Sequence, residues 1–293
     1  MRLRSIIAAS LVVGIAVTTP HAASAENEAD TIEELRAAAP EIAEMIAPST
    51  VSSTSVGDVD ATVKDDTISI SSDSGTISLT AEETGASSEV EAVLLDDASA
   101  LFAIRIDDAT APRTYDFALD LPSDATAELL EGGAMAYLNS KGEYLGGVAE
   151  PWAKDAIGQE IPTWFTYADG VLTQHVDIDA VEDVVYPLVA DPYLGKWLVE
   201  SAYVTNQGGS KYVVRAVPTA FGRQNNALGT YKFHTADLKA RLGTNANKVT
   251  STILNQFHCH VAANGSGGGA TYDMESWRPD VFWWVQVAQG CNP

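Results

Sequence analysis

The pattern of apolar and polar positions changes character twice along this chain. In residues 31–46, "TIEELRAAAPEIAEMI", Ile32, Leu35, Ala39, Ile42 and Ile46 recur at steps of three and four, the helical period. Pro40 lies inside that run and has no amide hydrogen, so it should kink or split the helix. "APSTVSSTSVG" follows, small and polar, and reads as a linker. From residue 57 the period falls to two. "TISIS", "GTISLTA", "EVEAVLL", "ALFAIRI" and "TYDFALDL" are short strand-type runs separated by Asp, Gly and Ser. Asp169-Gly170 stands between two alternating runs as the favoured two-residue hairpin turn, and "AYLNSKGEYLGGV" should turn near Ser140–Gly142. Residues 57–190 therefore read as a mostly antiparallel β domain. "VVYPLVADPYLGKW", residues 184–197, marks its end, because Pro187 and Pro192 interrupt strand pairing.

Past that point the pattern is mixed. "KWLVESAYV" and "KYVVRAV" are strand-like and joined by "TNQGGS". "TADLKARLG" carries helix punctuation, with Thr235 as a cap, Asp237 in the first turn, Lys239 and Arg241 late, and Gly243 as the stop. "NKVTSTILNQFHCHVAA" predicts a second helix through Val249, Ile253 and Phe257. After an "NGSGGG" loop, "DVFWWVQVA" reads as a strand, with Phe282 and Trp284 on one face and Val281, Trp283, Val285 and Val287 on the other. The fold class is mixed: an antiparallel β domain followed by a small, disulfide-linked α+β domain.

Charge and the first residues add an export reading. Arg2 and Arg4, an apolar stretch from Ile6 to Val17, and Ala23-Ser24-Ala25 have the build of a signal peptide over residues 1–25. The apolar stretch is shorter than the roughly 20 residues a membrane-spanning helix needs. No transmembrane anchor is expected, and the product should be secreted and extracellular. The formal net charge of −23 hides a partition. Glu26–Gly195 holds 35 acidic and 6 basic side chains, whereas Lys196–Pro293 holds 5 acidic and 9 basic. The expected organisation is thus signal peptide 1–25, helical leader and linker 26–56, acidic β-rich pro-region or accessory domain 57–190, and basic α+β effector 191–293. Proteolytic processing would fall near Ala190 or Asp191, with an uncut interdomain strand as the alternative.

The densest candidate chemistry is "NQFHCHV", residues 255–261. On a helix His258 and His260 would point about 160° apart and could not share an ion. On a strand they would share a face and, with a third ligand, could bind zinc. A thiolate nucleophile needs a free, electropositive cysteine. Two cysteines in an oxidising compartment most simply form one bridge, Cys259 to Cys291, which closes a loop of roughly 33 residues and contributes about 3–4 kcal/mol in the chain-entropy account. No serine-hydrolase elbow, phosphate loop or zinc-protease pattern occurs, so no catalytic residue and no cofactor is assigned. Asp65-Asp66, Asp96-Asp97 and Asp107-Asp108 lack calcium-loop spacing and read as solvated edges. Trp197, Trp277, Trp283 and Trp284 concentrate four of the six tryptophans in the last third. Core packing is the plain account of them. An exposed strip of Trp277, Arg278, Phe282 and Trp284 would instead contact a target, and Glu275 and Arg278 are placed for a local ion pair.

"NQFHCH" followed by "MESWRPDVFWWVQVAQGCNP" resembles a domain of unknown function at the C-terminus of secreted actinobacterial proteins. The matching positions are Phe257, Cys259, His260, Trp277, Arg278, Pro279, Gly290, Cys291, Asn292 and Pro293. The resemblance implies a paired cysteine bridge and no catalytic residues. "AEPWAKDAIGQEIPTWFTYADG" through "VVYPLVADP" likewise resembles a secreted actinobacterial leader module, a resemblance covering residues 113–192. The whole layout resembles a bacteriocin-type antibacterial preproprotein of signal, acidic pro-region and compact basic effector. The expected function is a secreted antibacterial protein, processed near residue 190, whose effector acts on the envelope of related Gram-positive bacteria. Its partners would be the envelope or a surface receptor and a processing protease, with no nucleic acid. The alternatives are a non-catalytic envelope- or host-surface-binding protein and a hydrolase using His258, His260, His234 or Glu275.

Overall fold

The computed structural model describes residues 30–263 and 269–291. The expected signal peptide, most of the "NGSGGG" loop, and Asn292 and Pro293 lie outside them. Helix α1 (residues 30–38) and helix α2 (Pro40–Ala43) are the expected helical segment, broken at Ala39 just ahead of the proline. Leu35, Ala39 and Ile42, the middle of the sequence stripe, are buried.

Two antiparallel sheets follow. The first runs in the order β1 (Ser53–Val56), β2 (Val59–Lys64), β3 (Thr67–Ser72), β4 (Gly75–Ala81), β7 (Thr114–Asp120), β13 (Val171–Val176) and β12 (Thr163–Ala168). The second runs β11 (Ala153–Lys154), β14 (Leu188–Ala190), β6 (Ala100–Ile106), β15 (Tyr193–Gly195), β10 (Tyr144–Val148), β9 (Met135–Leu138) and β8 (Thr126–Leu129), with β5 (Ser88–Leu94) also paired to β6. Both expected hairpins form. Ala168 pairs with Val171 across Asp169-Gly170, whose φ values of 51° and 82° are those the two-residue turn demands. Leu138 pairs with Tyr144 across the second turn.

Period-two side chains of both sheets meet in one core, with Phe102 stacked on Phe117 between the layers at 5.1 Å. The second sheet is covered on its other face as well. There Leu101, Ala103, Ala136, Val189 and Tyr193 pack against Leu35, Ala39 and Ile42. Burial on both faces explains why "ALFAI" reads as an unbroken apolar run rather than an alternation.

Two expectations about this half need correcting. The stretch taken for a linker contains strand β1, which pairs with β2 from Ser53↔Thr62 to Val56↔Val59, while Thr54 donates its hydroxyl to Leu95 O at 2.7 Å. Its alternating Ser and Thr side chains suit a half-exposed edge. The β sheet also continues past residue 190. Ala190 faces Ile104 and Tyr193 faces Leu101 on β6, so β14 and β15 are one strand line that Pro192 interrupts without shifting its register.

The C-terminal unit is a three-stranded sheet, β16 (Val199–Asn206), β17 (Tyr212–Pro218) and β18 (Tyr272–Glu275), with helices α4 (Tyr231–Leu242) and α5 (Ser251–Ala262) against it. Its core joins Val214, Ala216, Leu238, Leu242, Ile253, Phe257, Val261, Tyr272 and Met274. Helix α4 starts five residues earlier than its capping signal suggested, with Thr230 rather than Thr235 at the N-cap. The buried positions Tyr231, His234, Leu238 and Leu242 form a stripe broken up by polar letters, and Thr235 is interior to the helix. The segment read as a final strand is helix α6 (Trp283–Val287). Asp280 is bonded to Asn255, and Cys291 is joined to Cys259 four residues further along α5, about 6 Å away along the axis. Eleven residues cannot bridge so short a span while extended, and coiling into a helix takes up the excess.

A short helix α3 (Ala220–Gln224) and the start of α4 dock the unit on the second sheet. Phe221 and Phe233 enter the same buried cluster as Leu101 and Tyr193. Phe233 stacks on Tyr144 at 4.6 Å, and Phe221 meets Tyr193 edge-on at 5.3 Å. Gly195 is required there, because a Cβ on it would sit 2.4 Å from the Phe221 ring. Among the described residues, no helix is long and apolar enough to cross a membrane.

Candidate functional site

The disulfide reading of the His/Cys cluster holds. Cys259 and Cys291 are bridged with their Cα atoms 5.6 Å apart, and α5 is a helix. His258 and His260 accordingly face different neighbours. His258 Nε2 lies 2.8 Å from Thr235 Oγ1, whereas the His260 ring is stacked on Tyr272 at 5.1 Å. His234 is buried and donates from Nε2 to the carbonyl of Asn225 at 2.7 Å. Burial drives the His234 and His258 pKa values down to about 4 and lowers that of His260 too. All three imidazoles are therefore neutral near pH 7, each committed to a structural partner.

The aromatic candidates are gathered at the N-terminal end of α5. Thr250 caps that helix, and its first turns present Ser251 and Asn255. Both donate to the Asp280 carboxylate, at 2.5 and 2.8 Å, and these bonds hold the Asp280 carboxyl below its usual range. Asn255 Oδ1 then accepts the amide of Trp283 at 3.3 Å, fixing the start of α6. Trp283 turns inward, edge-on to Tyr231 at 5.2 Å. Its neighbours turn out: Phe282 is 69% exposed and Trp284 63%.

Trp277 lies in the loop two residues past β18. Ser276 is tied to Tyr212 by two backbone-directed bonds, of 2.9 and 3.0 Å. Trp277, 40% exposed, carries the Lys211 ammonium 5.7 Å from its ring centre. Lys248 lies 4.9 Å over Tyr212, whose hydroxyl donates to the Lys248 carbonyl at 3.1 Å. Arg278 pairs with Glu275, as its spacing suggested. The expected contact residues Trp277, Arg278, Phe282 and Trp284 thus occupy one short segment, on a loop and helix rather than one strand face.

Gln256 was not singled out from sequence, yet it fastens this end. Its amide nitrogen donates to the carbonyl of Glu275 at 3.0 Å and its oxygen accepts the amide of the same residue at 2.9 Å. A glutamine among apolar helix positions carries no signal of such a role.

The processing residues lie elsewhere. Ala190 and Asp191 are both 0% exposed, within the central strand line of the second sheet. Asp191 Oδ1 accepts the amide of Trp152 at 3.0 Å, Oδ2 has no partner, and burial pushes the carboxyl up to about 8. Asp97, expected as a solvated edge, instead accepts the Phe221 amide at 3.2 Å at the junction of the two units, and burial raises its pKa. Asp237 was expected as a first-turn helix residue. It receives the amides of Leu198 and Val199 at 2.9 and 2.8 Å and faces Arg241, whose guanidinium lies 4.0 Å over Trp197. Neither role is legible in one dimension, because the partners are 39 and 38 residues away for Asp237 and 124 for Asp97.

Residues 199–293 match a family described as a protein of unknown function, DUF2599. The match includes residues 255–293, whose resemblance pointed to a C-terminal domain of unknown function. The match begins at Val199, the first residue of β16, so it covers the three-stranded sheet, its helices and the aromatic end. No curated protein and no solved structure matches the chain.

Proposed function

We propose that this chain is an exported, non-catalytic protein that binds bacterial envelopes through the aromatic end of its C-terminal unit. The observation that carries the reading is the outward display of Trp277, Phe282, Trp284 and Val287 on one segment fixed to α5, with Lys211 and Lys248 beside it. Solvent-exposed apolar groups gathered in this way mark interaction sites. The hydrolase alternative loses its footing, because His234, His258 and His260 have structural partners and Glu275 is paired with Arg278.

A second reading keeps the same surface and adds killing. In it, an acidic precursor is processed near Ala190–Asp191, and the released effector acts antibacterially on related Gram-positive cells. The charge partition supports it, as does a family match confined to residues 199–293. Against it stands the burial of both residues in a central strand, which denies a protease access until that strand is unfolded. The mass of the exported product separates the two. An intact chain that adheres to Gram-positive cells supports the binding reading; a fragment starting near residue 191 that clears lawns supports the second. Export without adherence or clearing would overturn both.

A further inference from the structure

We infer that the partner of the aromatic end is a lipid bilayer surface bearing anionic headgroups, into which Phe282, Trp284 and Val287 dip while Lys211 and Lys248 meet the headgroup phosphates. The inference rests on the envelope-binding reading and names its partner.

Three features select a bilayer over a sugar polymer or a protein groove. Phe282 and Val287 contain no side-chain hydrogen-bonding atom, so the contact they favour is apolar. Trp284 adds an amphipathic ring, which settles at the boundary between acyl chains and headgroups. These side chains protrude from a five-residue helix held from behind by Trp283, Asn255 and the Cys259–Cys291 bridge. A rigid, projecting apolar tip suits insertion into a fluid layer that closes around it.

Charge complementarity supplies the headgroup preference. Lys211 lies over Trp277 and Lys248 over Tyr212, both at the end that holds the tip. Of the ionisable side chains nearby, Glu275 is paired with Arg278, and Asp280 is held by Ser251 and Asn255. Asp280 stays ionised, one negative charge against the two positive charges of Lys211 and Lys248, so the balance at this end is cationic. The wider asymmetry, 35 acidic and 6 basic side chains from Glu26 to Gly195 against 5 and 9 beyond it, turns the cationic end toward an anionic surface.

Co-sedimentation of the full chain with vesicles provides the test, comparing phosphatidylcholine alone with phosphatidylcholine–phosphatidylglycerol mixtures at physiological ionic strength. The chain should pellet with the anionic vesicles at a lipid concentration roughly 10-fold lower than with the neutral ones, and its tryptophan emission should shift to the blue. Phe282→Ser combined with Trp284→Ser should raise the lipid requirement at least about 10-fold, since two interfacial anchors are lost. Lys211→Glu with Lys248→Glu should abolish the preference for phosphatidylglycerol. All four side chains lie outside the core, so an unchanged melting temperature would show that these variants fold. Failure of the parent chain to pellet, equal binding to both vesicle types, or full binding by the double serine variant would overturn the inference. Lipid-free cell walls make the two readings separable. Retention on walls but not on vesicles sinks the bilayer partner and leaves envelope binding standing, whereas retention on neither, and none on whole cells, sinks both.

Discussion

The two halves of the molecule solve the same packing problem by different means. The sandwich buries alternating side chains between two sheets and covers the second sheet again with helices, so regular periodicity does most of its specification. The C-terminal unit has only three strands and a small core, and it is held by individual bonds: the Cys259–Cys291 bridge, Gln256 on Glu275, and Asp237 on the chain entering β16. A region built on repetition tolerates loss of any one contact. A region built on single bonds should not. Phe221 is where the two regimes meet, and it is the place to break the comparison.

Phe221→Ala should give the largest effect. The ring is 1% exposed, packs on Tyr193 and fills the space that Gly195 leaves open. Its removal should cost about 3–5 kcal/mol. Because the loss falls on the junction, calorimetry should resolve one transition into two as the halves uncouple. A cost under about 1 kcal/mol, far below the range for a buried aromatic, would mean that the halves were never coupled through this residue.

Replacing Cys259 and Cys291 together by Ser should come next, at about 3–4 kcal/mol for a loop of this length. The loss should be confined to the C-terminal unit. Thermal scans followed by Trp283 and Trp284 emission would move to lower temperature, while far-ultraviolet signals dominated by the sandwich would keep their midpoint. An unchanged tryptophan midpoint would remove the bridge from the account of how this unit is held.

The same contrast explains what the sequence made legible. Strands β3 to β7 could be read almost residue by residue, since period two with Gly, Asp and Ser breaks leaves few alternatives. The Asp169-Gly170 turn has a local cause and was equally plain. The helical form of residues 283–287 was hidden, because "DVFWWVQVA" is strand-like by composition and only the Asp280 and Cys291 anchors force it to coil. The early start of α4 was obscured by Lys232 and Thr235 among its buried positions. The aromatic contact residues were found by composition, yet their shared location depends on Asn255 and Ser251, neutral helix letters in one dimension. Asp97 reads as a solvated edge, Asp191 as a processing position and Asp237 as a first-turn helix residue, because burial is a property of the assembled sheets.

Acidity should act on the two halves with opposite sign. His234 has a folded pKa of about 4, below its ordinary 6.5, because burial penalises the imidazolium. Its contribution is therefore complete above 6.5 and is lost as pH falls toward 4. Asp191 is raised from 3.8 to about 8, so the stability linked to its protonated form is complete below 3.8 and is lost as pH rises toward 8. The C-terminal unit should be the acid-labile part and the central strand line the alkali-labile part. His234→Gln, which keeps a donor for the Asn225 carbonyl, should recover about 2–3 kcal/mol near pH 4.5. Asp191→Asn should gain a similar amount, about 2–3 kcal/mol, near pH 6, because the amide stands in for the neutral acid. Parallel pH–stability curves for parent and variants would refute these assignments.

The smallest contrast lies between two threonine caps, and it sharpens the comparison most finely. Thr219 caps α3 at the junction, where its hydroxyl accepts the Gly222 amide at 2.8 Å and donates to the Trp197 carbonyl at 2.5 Å. Thr250 caps α5, and its hydroxyl accepts the Ile253 amide at 3.5 Å, the outer limit of a useful bond. Thr219 is also 4% exposed, so removing its hydroxyl strands a buried carbonyl and a buried amide together. Thr219→Ala should cost about 2 kcal/mol, the upper end for a lost cap, and Thr250→Ala about 0.5 kcal/mol, the lower end. Thr219→Ser restores the hydroxyl and should return most of the difference, which distinguishes the two hydrogen bonds from the packing of the methyl group. Equal costs for the two alanine variants would show that the junction is no more dependent on single bonds than the helix it supports.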